Sequence, residues 1–456
     1  MYQRGFLVAG LATALVSAVL AAAARGDVPG EPDCRGPAGD PGPGTAAWYE
    51  RENDNAWCGE QRYHDTTTNP AFVAAKTQMD ARNGREIFGD PFRDPLLWGG
   101  KRFRFQQVSF ASPSGQLNGY LFRPCDRSCR HIPAGLHRHK PPYPGVVVVH
   151  GGAATQEMYF WGAEGLAEAG YMVLTFQIPE PDNAQSSHHY PDTKAALDWF
   201  LAAPGHRTRS HELNPRWREL DRRHIGLAGH SAGGVAVSRL GQEDRRVSAI
   251  VSWDRAQSSP MPKGIRIRTP AIFVVADYLC QQVPVCVPQP FCKLQDCQPP
   301  KSFTSAPDPY GPGNKDEDFR RVAGAGVDSM KVTLRAATHL DFTQFTPGTG
   351  SRYGAAVSFY YTLAWFDRYL AGARRGHHAL ARAAFRRLIG TRFDATGDIH
   401  NIGGGQYDAA HNRNVPAFIA DQPVRDRLSF EFRSAYYFTH GRYRCKGMRA
   451  GCPKRR

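Results

Sequence analysis

The sequence predicts an α/β fold with a mostly parallel central sheet flanked by helices. Three observations predict it. The run Val146-Val147-Val148-Val149 is continuous and β-branched, as a strand buried on both faces requires. Apolar runs of strand length recur downstream, at 172–177, 224–228, 247–253, 271–276 and 330–336. Segments of helical pattern separate several of these runs, which is how parallel strands are connected.

The elements follow in order. Residues 103–110 and 116–122 read as two strands around the turn Ser112-Pro113-Ser114-Gly115. The first alternates as a half-buried strand does, so this hairpin makes the sheet mixed at one edge. Residues 158–169 read as a helix ending at Gly170, and 192–201 as an amphipathic helix with Leu197, Trp199 and Phe200 among its apolar residues. The 224–228 strand runs into Gly229 and then a helix to about Leu240, and 353–370 is a long apolar-faced helix.

Residues 1–24 read as a secretory signal peptide. Arg4 supplies the positive start, 6–20 the apolar stretch, and Ala21-Ala22-Ala23-Ala24 the small-residue cleavage site. An uncleaved anchor is the alternative reading of the same residues. Residues 25–100 form an N-terminal extension that opens on a Gly/Pro-rich stretch at 30–44. A catalytic domain is expected over 101–372, with a Pro- and Cys-rich insertion at 277–326. The C-terminal extension, 373–456, has few regular signals, although 425–437 has strand character.

The ten cysteines fall in local groups: Cys34 and Cys58, Cys125 and Cys129, Cys280 with Cys286, Cys292 and Cys297, then Cys445 and Cys452. An even count behind an export signal points to disulfides and to a secreted or periplasmic protein. The group from Cys280 to Cys297 lacks the tight pairs of a zinc ribbon. Connectivity is not readable from spacing. The net charge of +15 comes from scattered Arg rather than one stripe. No zinc finger or basic recognition helix accompanies it, so no nucleic-acid partner is expected.

The chemistry centres on Gly229-His230-Ser231-Ala232-Gly233, between a predicted strand and a predicted helix. A serine hydroxyl is a weak nucleophile and must be held exposed beside a base. A sharp strand-to-helix turn does this, and glycines on either side relieve its crowding. The amide of Ala232, at the helix start, is then one oxyanion donor. The second is expected from His150-Gly151-Gly152, after the Val146–Val149 run; Gly152 is chosen, with Gly151 as its neighbour and alternative. His339 follows the last strand and is the expected base. Asp277, after the 271–276 strand, is the expected acid. Asp254, after the 247–253 strand, competes for that role, with Asp316 and Asp318 more distant choices.

These residues resemble the α/β-hydrolase superfamily over 101–372. Residues 229–233, His150-Gly151-Gly152, Thr338-His339 and the helix 361–370 carry the likeness. The chain looks most like secreted dienelactone-hydrolase-like esterases and bacterial polyester or lipid esterases. True dienelactone hydrolases place Cys where Ser231 stands, and dehalogenases and epoxide hydrolases place Asp there. The resemblance implies an α/β-hydrolase fold and a cofactor-independent serine hydrolase. Its substrate would be a small-molecule, lipid or polymeric carboxylic ester. Amide hydrolysis by the same residues, or a binding protein that kept the fold, are the alternatives. Tyr159-Phe160-Trp161 is expected either to line the acyl pocket or to pack in the core. His188-His189 is read as a solvated turn in preference to a metal or substrate contact, and His137 and His139 as loop residues. The insertion is expected to form one wall of the pocket.

Overall fold

A computed structural model describes residues 103–125, 140–179, 182, 186–205, 212–254, 264–276, 317–334, 339–343, 352–390 and 434–448, with a few isolated residues between 407 and 452. The expected signal peptide, the N-terminal extension and residues 277–316 lie outside the described residues.

The core is a ten-stranded mixed sheet. Its strands are β1 (Phe103–Ser112), β2 (Gly115–Pro124), β3 (Tyr143–Val149), β4 (Met172–Gln177), β5 (Leu220–His230), β6 (Val247–Trp253), β7 (Ala271–Ala276), β8 (Ser329–Leu334), β9 (Ala435–Phe438) and β10 (Tyr443–Cys445). Their order is β1-β2-β4-β3-β5-β6-β7-β8-β9-β10. The six from β4 to β8 are mutually parallel. An antiparallel pair closes each edge. The sequence led to a mixed edge on the hairpin side alone. The second one arises because β9 pairs with β8 across about a hundred residues, a partnership that no local pattern records.

The helices are α1 (Phe160–Glu168), α2 (Ser186–Phe200), α3 (Ala232–Glu243), α4 (Glu317–Gly324), α5 (Arg352–Phe366) and α6 (His378–Ile389). They bury the sheet on two sides. Strand side chains alternate between the faces. Val146 and Val148 face a core with α1, α5 and α6, while Val147 and Val149 face one with α2, α3 and α4. This explains why β3 reads as a continuous apolar run.

Three helices depart from expectation. α2 starts six residues earlier than its pattern, with Pro191 inside it. Pro191 removes only the N–H that would bond the carbonyl of Ser187, an exposed residue of the first turn. α4 lies at the end of the expected insertion and buries Val322 against the core. Parallel β7 and β8 need a crossover, and α4 supplies its last segment. α6, unmarked in the sequence reading, packs Ala384 and Leu388 inward.

Candidate active site

Chain progress along the sheet reverses at β3. β4 is added on one side of it and β5 on the other. Open α/β sheets bind ligands at such a point, beyond the carboxyl ends of the strands. Residues 150–152 and Ser231 follow directly on those two ends.

Ser231 is the single residue between β5 and α3, with φ 53° and ψ −119°. A side-chain-bearing residue is strained there, so the surroundings must hold it. Its N–H donates to the Trp253 carbonyl at 3.1 Å, and its own carbonyl accepts from Val235 N–H at 3.0 Å. The flanking glycines permit the close fit. A Cβ on Gly233 would lie 2.4 Å from the His150 carbonyl oxygen, and one on Gly229 2.6 Å from the Gly233 carbonyl. α3 therefore starts against the end of β3, with Ser231 half-buried at the edge. Ala232 is the first residue of α3, so its N–H has no partner within the helix.

Gly151 borders the serine closely, since a Cβ built on it would meet the Ser231 Cβ at 3.1 Å. Its N–H donates to the Tyr159 hydroxyl at 3.2 Å. Of the two glycines weighed as oxyanion donors, Gly151 therefore has its amide engaged by Tyr159. The buried His150 ring accepts from Ile178 N–H at Nε2, 3.0 Å, so its proton lies on Nδ1, 2.7 Å from the Gly151 carbonyl. Burial first, and then the neighbouring His189, lowers the His150 pKa to about 3. The ring is neutral and serves as a spacer under the loop.

His339 begins a short 3-10 turn, His339–Phe342. Two contacts anchor that turn: His230 Nε2 lies 2.9 Å from the His339 carbonyl, and Trp161 Nε1 donates to the Phe342 carbonyl at 3.1 Å. The His230 and His339 rings lie 4.5 Å apart, which brings His339 to the residue adjoining Ser231. His339 Nδ1 lies 2.7 Å from Asp254 Oδ2, with both side chains buried. The other Asp254 oxygen accepts from Ala276 N–H at 3.0 Å. Asp254 has a φ of 33° and donates its own N–H to the Val274 carbonyl at 2.7 Å. A carboxylate only accepts, so Nδ1 carries the proton. A neutral His339 then has its lone pair on Nε2, the acceptor that a serine hydroxyl needs.

Ser231, His339, Ala232 and Gly152 thus lie on segments meeting at one sheet edge. Asp277 lies outside the described residues, and the bond that the sequence reading gave to it is made by its competitor, Asp254. Of the two readings of Tyr159-Phe160-Trp161, the structure favours core packing, since all three are buried. His188 and His189 stand on α2, not in a loop. His189 is buried 5.4 Å from the His150 ring, and His188 Nδ1 lies 3.0 Å from Ser114 Oγ. Among the described residues no group of three His, Cys, Asp or Glu is placed to hold a metal ion. The sequence reading passed over His230 and the polar role of Tyr159. Neither has a local signal, because their partners are 71 residues apart in the chain.

No family model matches the chain, and no curated protein matches it. Among solved structures, a ferulic acid esterase from Streptomyces cinnamoneus is similar in shape, at 20% identity and a TM-score of 0.41. The match covers 60% of this chain and 91% of that one.

Proposed function

We propose that the chain is a carboxylic-ester hydrolase of the α/β-hydrolase type, working through an acyl-enzyme on Ser231. The observation that carries this reading is the buried His339–Asp254 hydrogen bond beside a serine held at positive φ. Asp254 is the acid of the proposal, in place of Asp277. Ser231 Oγ attacks the ester carbonyl as His339 Nε2 takes its proton. Asp254 keeps the imidazole in the required tautomer and faces the imidazolium that forms. The amides of Ala232 and Gly152 hold the oxyanion. His339 returns the proton to the departing alcohol, and water, activated by the same ring, releases the acid. The strand order, with six parallel strands and the serine at the switch point, supports the same fold reading.

Export is part of the proposal. The disulfide Cys445–Cys452 supports an oxidising compartment, and Cys125 is disulfide-bonded as well. Among the described residues no helix is long and apolar enough to cross a membrane.

The test is a panel of p-nitrophenyl esters of increasing acyl length, set against matched peptide amides. We expect turnover of esters far above amides, and a loss of about 10⁶-fold in kcat for Ser231→Ala. Faster cleavage of the amides would favour the amidase reading. Undiminished ester turnover by Ser231→Ala would refute the mechanism.

A further inference from the structure

The three segments of the proposed site are joined by a hydrogen-bond chain that the catalytic steps do not use. Its members are the Gly151 amide, the Tyr159 hydroxyl, the His230 ring and the His339 carbonyl. The direction of every bond can be worked out. A tyrosine hydroxyl has one hydrogen. Gly151 N–H donates to it at 3.2 Å; the His339 carbonyl can only accept, so in a neutral ring the proton sits on His230 Nε2 and the Tyr159 hydrogen points to Nδ1 at 2.7 Å. His230 Nδ1 is then an acceptor. The ring proton lies on Nε2, where it donates to the His339 carbonyl at 2.9 Å.

We propose that Tyr159 and His230 are positioning residues, which form a one-way buried brace between the oxyanion loop and the loop of the base. The proposal rests on the esterase reading of this site and deepens it. Three features support the brace. Both side chains are buried, so the polar atoms have no water to fall back on. The bonds all run in one direction, so each polarises the next. Both ends also fall where placement matters. At one end the bond fixes the Gly151 peptide, which is joined to the Gly152 amide. At the other it fixes the backbone of His339, whose ring is held to Asp254. The rings add packing to the brace: Tyr159 lies parallel to Trp253 at 6.4 Å, and His230 stacks on Phe342 at 5.7 Å. The brace thus crosses from the end of β3 to the segment after β8, over the serine-bearing end of β5. Tyr159 touches no reacting atom in this account. It sets where the oxyanion amide and the base stand relative to each other.

The brace makes a prediction separate from loss of structure. In Tyr159→Phe the ring packing stays and the bridge goes. We expect kcat to fall ten- to a hundredfold with KM within twofold, because substrate contacts are unchanged. His230→Phe should cost a similar factor. The double variant should cost no more than the worse single one, since both break one chain. Costs that multiply in the double variant, or a Tyr159→Phe enzyme with unchanged kcat, would overturn the brace while leaving Ser231→Ala to report on the esterase reading. A second readout needs no activity. Nitrogen-15 histidine spectra of the full chain, with the His230 signal assigned by its loss in His230→Gln, should show the Nε2–H tautomer at pH 8. In Tyr159→Phe the Nε2–H tautomer should persist, held by the His339 carbonyl, while the Nδ1 signal shifts as it loses its hydrogen bond. An Nδ1–H tautomer in the wild type would refute the brace whether or not any ester is turned over.

Discussion

Positive φ angles occur at two ends of this sheet, and they are held there for different reasons. In the β9–β10 hairpin, Thr439, His440 and Gly441 take φ of 49°, 56° and 85° in the four-residue turn. A tight hairpin asks for such angles so that its strands keep their twist. At the carboxyl ends of β5 and β6, Ser231 and Asp254 take φ of 53° and 33°, and no hairpin requires it. There the strain is held from outside, by the Trp253 carbonyl, by the Val274 carbonyl and by glycines pressed against β3. The comparison teaches that the hairpin is a local device for closing an edge. The serine edge depends on contacts among several strands, and it is where the proposed reaction is placed.

Kinetics should respond most strongly at the acid. Asp254→Asn should lower ester kcat by about 10⁴-fold, because it removes the acceptor that fixes the His339 tautomer. Asp277→Asn should stay within a fewfold of wild type. The reverse pattern, read by steady-state kinetics, would return the role to Asp277.

Next comes the glycine packing. Gly233→Ala would push a methyl into the Val149 and His150 carbonyls, which are backbone and have little room to move. A loss of roughly 3 kcal/mol or more is expected in chemical denaturation, given the usual cost of overpacking. Gly205→Ala, at a φ of 82° with nothing near its Cβ, should cost only about 1–2 kcal/mol for the strained angle. Equal costs would mean that packing at the serine is no tighter than in a surface turn.

Burial at this edge also makes stability depend on pH. His150 has its pKa lowered from 6.5 to about 3 by burial and by His189. Between those values the unfolded chain binds a proton that the folded protein excludes, so stability rises with pH across this window. It is complete above about 6.5 and is lost as pH falls, by at most about 1.4 kcal/mol per unit. His150→Gln should flatten that slope in urea denaturation between pH 4 and 7. A slope unchanged in the variant would show that other groups set it.

The smallest effect belongs to the hairpin. Removing the Cys445–Cys452 bond with a Cys445→Ser, Cys452→Ser double variant opens a short loop, since the two lie seven residues apart. About 2 kcal/mol of stability should be lost. Ester turnover should not change, whereas a loss of turnover would tie the hairpin to the site.

How much of this was legible in the sequence varies with where the information lies. β4, β6 and β7 begin and end as their apolar runs do, because each is a buried stretch bounded by polar residues or turns. The serine turn was legible from its glycines in a strand-to-helix setting. The acid was not. Asp254 and Asp277 each follow a buried strand, so the local pattern is the same. What favours Asp254 is that its two carboxylate oxygens are taken by different partners, one by Ala276 N–H on the neighbouring strand and the other by His339 Nδ1. Strand character at 425–437 was legible and overlaps β9, but the pairing of β9 with β8 was not, because that partner is far off in the chain. Tyr159 read as one of three aromatics in a row, and its hydroxyl acquires meaning only once His230 and Gly151 are beside it.

The most direct check of the central claim is to treat the folded chain with a fluorophosphonate and map the adduct by mass spectrometry. The account predicts one stoichiometric adduct on Ser231, absent from Ser231→Ala and strongly slowed in Asp254→Asn. An adduct on another residue, or none on a folded chain that a control hydrolase outpaces under the same conditions, would contradict it.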